Sequence, residues 1–124
     1  MPESWPPPRR LARPRPLQRG RDFAELREKG QRRVRGCVIA NWKVLPPGSI
    51  SRAGFITSRK LGKAVIRNRA RRLLREVFRL HQRELREPLN AVLVARPSIV
   101  GKRLADVERD FLAAMGDALL LKVS

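Results

Sequence analysis

The chain has 124 residues, 29 of them lysine or arginine and 11 aspartate or glutamate, for a formal net charge of +18. With 42% apolar residues it can bury one core but not two. No apolar run approaches the roughly 18 residues needed to span a bilayer, the first 16 residues lack the apolar block of a signal peptide, and the lone Cys37 offers neither a disulfide framework nor a zinc cluster. A cytoplasmic protein with a polyanionic partner, and no membrane, is therefore expected.

Six of the ten prolines fall within residues 1–16, interleaved with Arg9, Arg10, Arg13 and Arg15. That composition predicts a disordered, solvated Pro/Arg-rich arm over residues 1–16, followed by one folded domain over residues 17–124. Asp22 to Lys29 reads as a short helix, capped by Asp22, with Phe23 and Leu26 on one face and Gly30 as a left-handed stop. Arg33 to Leu45 is β-favouring and closes on Pro46-Pro47-Gly48; Ser51 to Ser58 follows as a second strand, and the two read as an antiparallel pair. Cys37, within the first of these stretches and beside Val38 and Ile39, is expected to be a core thiol.

A helix is expected from about Ala64 to His81, with room to continue toward Leu85 before Glu87-Pro88 interrupts it. Asn90 to Ala95 is a short apolar run suited to a strand covered on both faces. A last helix, Lys102 to Lys122, sets Leu104, Val107, Phe111, Met115, Ala118 and Leu119 on a core face. The order is helix, two or three strands, helix, strand, helix. It predicts a single α+β domain with a mixed central sheet and helices packed on it. If the strands joined by the basic helix are parallel, the general rule predicts a right-handed crossover.

The Ala64 to His81 segment carries two patterns at once. Ile66, Ala70, Leu73, Leu74, Val77 and Leu80 gather on one side of a helix, while Arg67, Asn68, Arg71, Arg72, Arg75 and Arg79 gather on the other, with Arg69 on the flank. Glu76 is the only acid between Arg59 and Arg79, so pairing along the helix cannot balance the row. An apolar stripe to anchor the helix and an unpaired row of arginines together point to phosphates.

The run Ser58-Arg59-Lys60-Leu61-Gly62-Lys63-Ala64-Val65-Ile66-Arg67-Asn68-Arg69-Ala70-Arg71-Arg72-Leu73-Leu74-Arg75-Glu76 resembles the signature of the bacterial ribonuclease P protein component, with its Arg-Asn-Arg, basic pair and Arg-Glu. The surrounding elements fit from about Leu17 to Val123. The resemblance implies a non-catalytic subunit of a ribonucleoprotein endonuclease that trims the 5′ leader of precursor tRNA, the RNA subunit performing the hydrolysis. Mg2+ is then expected, bound mainly by the RNA subunit and the substrate, with no further protein partner required and no catalytic residue of the chain's own. The only histidine, His81, is read as a packing residue or a helix C-terminal cation.

By the same resemblance, Arg67, Asn68, Arg69 and Arg72 would lie against the RNA subunit. Arg71, Arg75 and Lys60 would border the leader, with Arg59 and Lys63 adding to the RNA-binding set. Asn68 can orient neighbouring arginines or bind a hydrated metal. The leader is expected in a cleft between the sheet face and flanking helices, at Phe23, at Ala40 where relatives often carry an aromatic residue, and at Trp42. Trp42 is either a substitute stacking platform or a core residue. The resemblance also implies a left-handed βαβ crossover, against the general rule. The alternative is a ribosomal or other structural RNA-binding protein; a basic zipper is disfavoured because Pro88 and an apolar strand, not heptads, follow the basic helix.

Overall fold

The computed structural model describes residues 15–16, 26 and 28–122. They form one mixed sheet with two long helices. β1 is Arg15–Pro16, β2 Gln31–Arg35, β3 Val38–Val44, β4 Arg52–Ile56 and β5 Leu89–Ala95; α1 is Ala64–His81 and α2 Leu104–Asp117. β1 lies in the segment expected to be disordered. The rest of that arm, Asp22 and Phe23 lie outside the described residues, while Leu26, Glu28 and Lys29 are helical as expected.

Across the sheet the strands run β1-β4-β5-β3-β2. β5 pairs antiparallel with β3 and parallel with β4. The expected antiparallel pairing of β3 with β4 is therefore corrected: β5, distant in sequence, inserts between them. The Arg33 to Leu45 stretch also divides, because Gly36 and Cys37 turn the chain and β2 pairs back on β3 as a hairpin.

The pleat separates two faces of unlike character. Val38, Ala40 and Trp42 of β3, Ala53 of β4, and Leu89, Ala91, Leu93 and Ala95 of β5 are buried beneath the helices. They meet Ala70, Leu74, Val77 and Phe78 of α1 and Val107, Phe111, Ala114 and Met115 of α2 in one core. Each large apolar side chain buried there contributes about 1.5–3 kcal/mol. Register explains how Trp42 fits: its β5 neighbour is Ala91, whose β4 neighbour is Ala53, so two small side chains leave room for the indole. Cys37 is buried as expected.

Two chain reversals differ from expectation. Gly30 is not among the glycines with positive φ. Its need is space, since a Cβ there would stand 2.5 Å from the Leu26 carbonyl oxygen and 2.8 Å from that of Trp42. α2 stops at Asp117, five residues early, because Leu119 turns left-handed at φ 59° and is 73% exposed, not core. Leu121 then bridges back to Leu85, and the Arg86 amide donates to the Leu120 carbonyl at 2.7 Å.

Candidate nucleic-acid interface

β4 leads into the interface. After Ile56 a 3-10 turn, Arg59–Leu61, is pinned by buried Leu61 and leaves Arg59 and Lys60 at the surface. α1 then begins with Lys63 at its N-cap, no side-chain cap and no acid in the first turn. The positive end of its dipole is left uncompensated by the chain, a position that favours a bound anion.

Along α1, Lys63, Asn68, Arg69, Arg72 and Arg75 are exposed and Arg67 and Arg71 half-buried. Hydrogen bonds hold several of them in place. Arg67 Nη1 donates to the Gly62 carbonyl at 2.9 Å, Arg69 Nη2 to the Lys102 carbonyl at 2.9 Å, and Arg71 Nη1 to Thr57 Oγ1 at 3.0 Å. Arg71 Nη2 also donates to Asn68 Oδ1, so Asn68 acts here to orient an arginine, and its one acceptor oxygen already faces a fixed cation. Arg75 lies over the Phe55 ring with Cζ 5.8 Å from the centroid, and Phe55 meets Phe78 edge-on at 6.2 Å. The cations are tethered to neutral groups, which leaves their charge available.

Glu76 does not dilute this surface. Arg79 Nε donates to it at 3.0 Å, and that hydrogen bond holds the Glu76 carboxyl below the usual range. Arg79 thus leaves the free row in which the periodicity had placed it. Among the described residues, none of Arg59, Lys60, Lys63, Arg67, Arg69, Arg71, Arg72 and Arg75 has an acidic partner within ion-pair distance. Like charges set this close repel one another, and an external polyanion would relieve that repulsion.

The other face of the sheet holds a cleft of about 490 Å³, lined by Leu26, Gly30, Gln31, Arg32, Ile39, Asn41, Ile56, Val92 and Val94. Register lays these out as a grid: Gly54, Val92, Asn41 and Arg32 form one row, and Ile56, Val94, Ile39 and Val34 the next. Leu26 packs on Val92 and Val94 and closes one side. The apolar floor suits base faces, while Asn41 and Arg32 supply polar contacts. Ile56 on the rim adjoins Thr57, which holds Arg71, so the cleft and the Arg71 part of the arginine row share the β4 border. β1 covers only Arg52 and Ala53 of that edge.

Ala40 and Trp42 do not line this cleft. They are 0% and 2% exposed because even-numbered positions of β3 face the helices, so their assignment to the leader cleft is corrected and Trp42 is a core residue. The cleft is lined instead by Ile39 and Asn41, one position away in the alternation of β3, and by Arg32 of β2, which pairs with Asn41. Phe23 lies outside the described residues. Among those residues no group of three or more His, Cys, Asp or Glu side chains is placed to hold a metal ion, and no helix is long and apolar enough to cross a membrane.

His81 bridges two acids: Nδ1 lies 2.6 Å from Glu84 Oε2 and Nε2 2.6 Å from Glu108 Oε2. Burial opposes its charge, but the two carboxylates prevail and raise its pKa. Cys37 Sγ donates to Asp110 Oδ2 at 3.2 Å, and the Cys37 amide donates to the same oxygen at 3.0 Å. Burial, reinforced by that carboxylate, pushes the thiol up to about 12.

The family model Ribonuclease P matches residues 11–119. A Ribonuclease P protein component of Syntrophomonas wolfei is 35% identical over 102 residues, covering 82% of this chain and 85% of its own. One from Desulfatibacillum aliphaticivorans is 36% identical over 110 residues, covering 87% and 86%. Among solved structures, the RNase P protein of Staphylococcus aureus superposes with a TM-score of 0.75 at 21% identity, covering 86% of this chain and 96% of its own. That of Thermotoga maritima gives 0.70 at 24%, covering 88% and 97%. These structures share the fold, and the match across nearly the whole length agrees with the arginine-lined helix and the cleft beside it: the chain belongs to the family of bacterial ribonuclease P protein components.

Proposed function

We propose that the chain is the protein subunit of a cytoplasmic ribonuclease P, binding the catalytic RNA subunit and the 5′ leader of precursor tRNA and promoting removal of that leader. The observation that carries this reading is the acid-free row from Arg59 to Arg75, set along the border of an open cleft. Arg67, Arg69 and Arg72, with Asn68, form the side for the RNA subunit. Arg71, Arg75 and Lys60 border the leader, which runs into the cleft over Ile39, Asn41 and Val92.

The action is electrostatic and geometric. Two polyanions approach each other more readily when fixed guanidinium groups neutralise phosphates of both. Arginine suits the task because its planar fork bridges two phosphate oxygens. Phosphate contacts carry no base code, so leader binding has little sequence preference. Because the leader exists only before cleavage, binding it favours precursor over product.

The hydrolysis is assigned to the RNA subunit. The chain's only histidine already has a carboxylate at each ring nitrogen, which leaves it no free site for general-base work. Mg2+ would be held by the RNA subunit and the substrate and would supply activation of water there; the chain's part is to lower the Mg2+ needed for their association.

Cleavage by the RNA subunit tests this. At a Mg2+ concentration too low for the RNA alone, adding the purified chain is expected to restore 5′ cleavage of precursor tRNA. Failure to stimulate an RNA subunit that cleaves at high Mg2+ overturns the proposal and returns the chain to the class of structural RNA-binding proteins.

A further inference from the structure

We infer that the groove between the first turns of α1 and the loop from Pro97 to Lys102 receives one unstacked nucleobase of the RNA subunit. The inference rests on the function proposed above and adds to it a site that reads a base in place of a phosphate.

The groove measures about 250 Å³ and is lined mainly by Val65, Ile66, Arg69, Ala70, Ile99 and Val100. That is below the roughly 300–1,000 Å³ of pockets for drug-sized ligands and suits a single ring system. Ala70 and Ile99, 3% and 1% exposed, form its floor, whereas Val65 and Val100 stand at 77% and 47% as uncovered walls. Apolar side chains left this open call for a partner.

Charge identifies the partner. The groove opens within the acid-free surface: Arg69 lines it and Arg72 lies one turn further along the same helix. An apolar protein segment would have to bring its own acids to this rim. An RNA strand brings a flat apolar face already flanked by phosphates. Arg69 is also built for an RNA contact, since its Nη2 is held by the Lys102 carbonyl. That bond fixes the guanidinium plane and leaves its remaining N–H groups for an acceptor edge of a base or for the adjoining phosphate.

Lysine substitutions separate a base slot from a general cationic surface. If the surface acts by charge alone, Val65→Lys with Val100→Lys adds two cations and tightens binding of the full chain to the RNA subunit. If the groove holds a base, the same variant fills the slot and is expected to bind about tenfold more weakly. Val65→Ala with Val100→Ala is expected to weaken binding about fivefold at an unchanged salt slope, since no phosphate contact is lost. Both positions are exposed, and equal circular dichroism and thermal midpoints serve as the folding control. Tighter or unchanged binding by the lysine variant, or an alanine variant equal to wild type, overturns the inference. Arg72→Ala, in parallel, is expected to lower the salt slope by about one; no measurable binding of the wild-type chain to the RNA subunit would instead bring down the underlying RNA-binding reading.

Discussion

Replacing Arg71 and Arg75 together with alanine is expected to weaken precursor tRNA binding to the reconstituted holoenzyme while leaving mature tRNA binding nearly unchanged. Both side chains overhang the β4 border, Arg71 held by Thr57 and Arg75 lying over Phe55, and neither has an acidic partner among the described residues. An exposed cation beside a phosphate at contact distance is worth about 1 kcal/mol in water. Two such contacts amount to about 2 kcal/mol, or roughly 30-fold in affinity. The salt slope for the single-stranded leader should fall by about 1.4, at roughly 0.7 per lost contact. Folding should be little affected: Thr57 is half-buried and can turn to water, and the lost cation–π contact at an exposed site costs about 0.5–1 kcal/mol. Equilibrium binding of both tRNAs across a salt series decides the matter. Equal losses for precursor and mature tRNA would refute a leader-side role for this pair.

Three further outcomes test the framework that presents the row. Gly36→Ala should destabilise the domain by well over 1 kcal/mol in urea denaturation, because φ is +53° and a Cβ would stand 2.1 Å from Asp110 Oδ2; a neutral result would remove the β2–β3 turn as a packing constraint. Trp42→Ala should cost about 3–5 kcal/mol, and no compensating conservation of stability is expected if Trp42 is core, whereas an exposed stacking platform would leave the denaturation midpoint unchanged. His81→Gln tests the clamp between α1 and α2. The folded pKa of His81 is raised above the unfolded value of about 6.5, so its contribution is complete below that value and fades as pH rises through the folded one. The difference in thermal midpoint between wild type and variant should be widest near about pH 6 and narrow toward alkaline pH; a difference that widens on raising the pH would contradict the clamp.

The helix that bears the arginines was legible in the sequence from Ala64 on, because its apolar spacing and its charge act locally, whereas its end between His81 and Leu85 was open and is set by the 3-10 turn Gln82–Glu84. β5 was legible within one residue for the same reason. The sheet was not. Nothing near β3 or β4 in the chain announces that β5 inserts between them, since strand neighbours are set by how the apolar face of α1 must be covered. The same limit explains Trp42. Strand alternation shows that Ala40 and Trp42 share a face, but only the register with Ala91 and Ala53 reveals that this face is the one with room for an indole. The open face was then bound to carry Ile39 and Asn41. His81 shows a third case: Glu84 is local, but Glu108 comes from α2, 27 residues away.

In the proposed function the arginine row on α1 binds RNA through phosphates. The salt dependence of affinity for the catalytic RNA, compared between wild type and the Arg67→Ala, Arg69→Ala, Arg72→Ala variant, tests it most directly. Removing three phosphate contacts is expected to lower the slope of log affinity against log salt by about 2 to 3, with an unchanged fold. A variant that keeps both the affinity and the slope of wild type would contradict it.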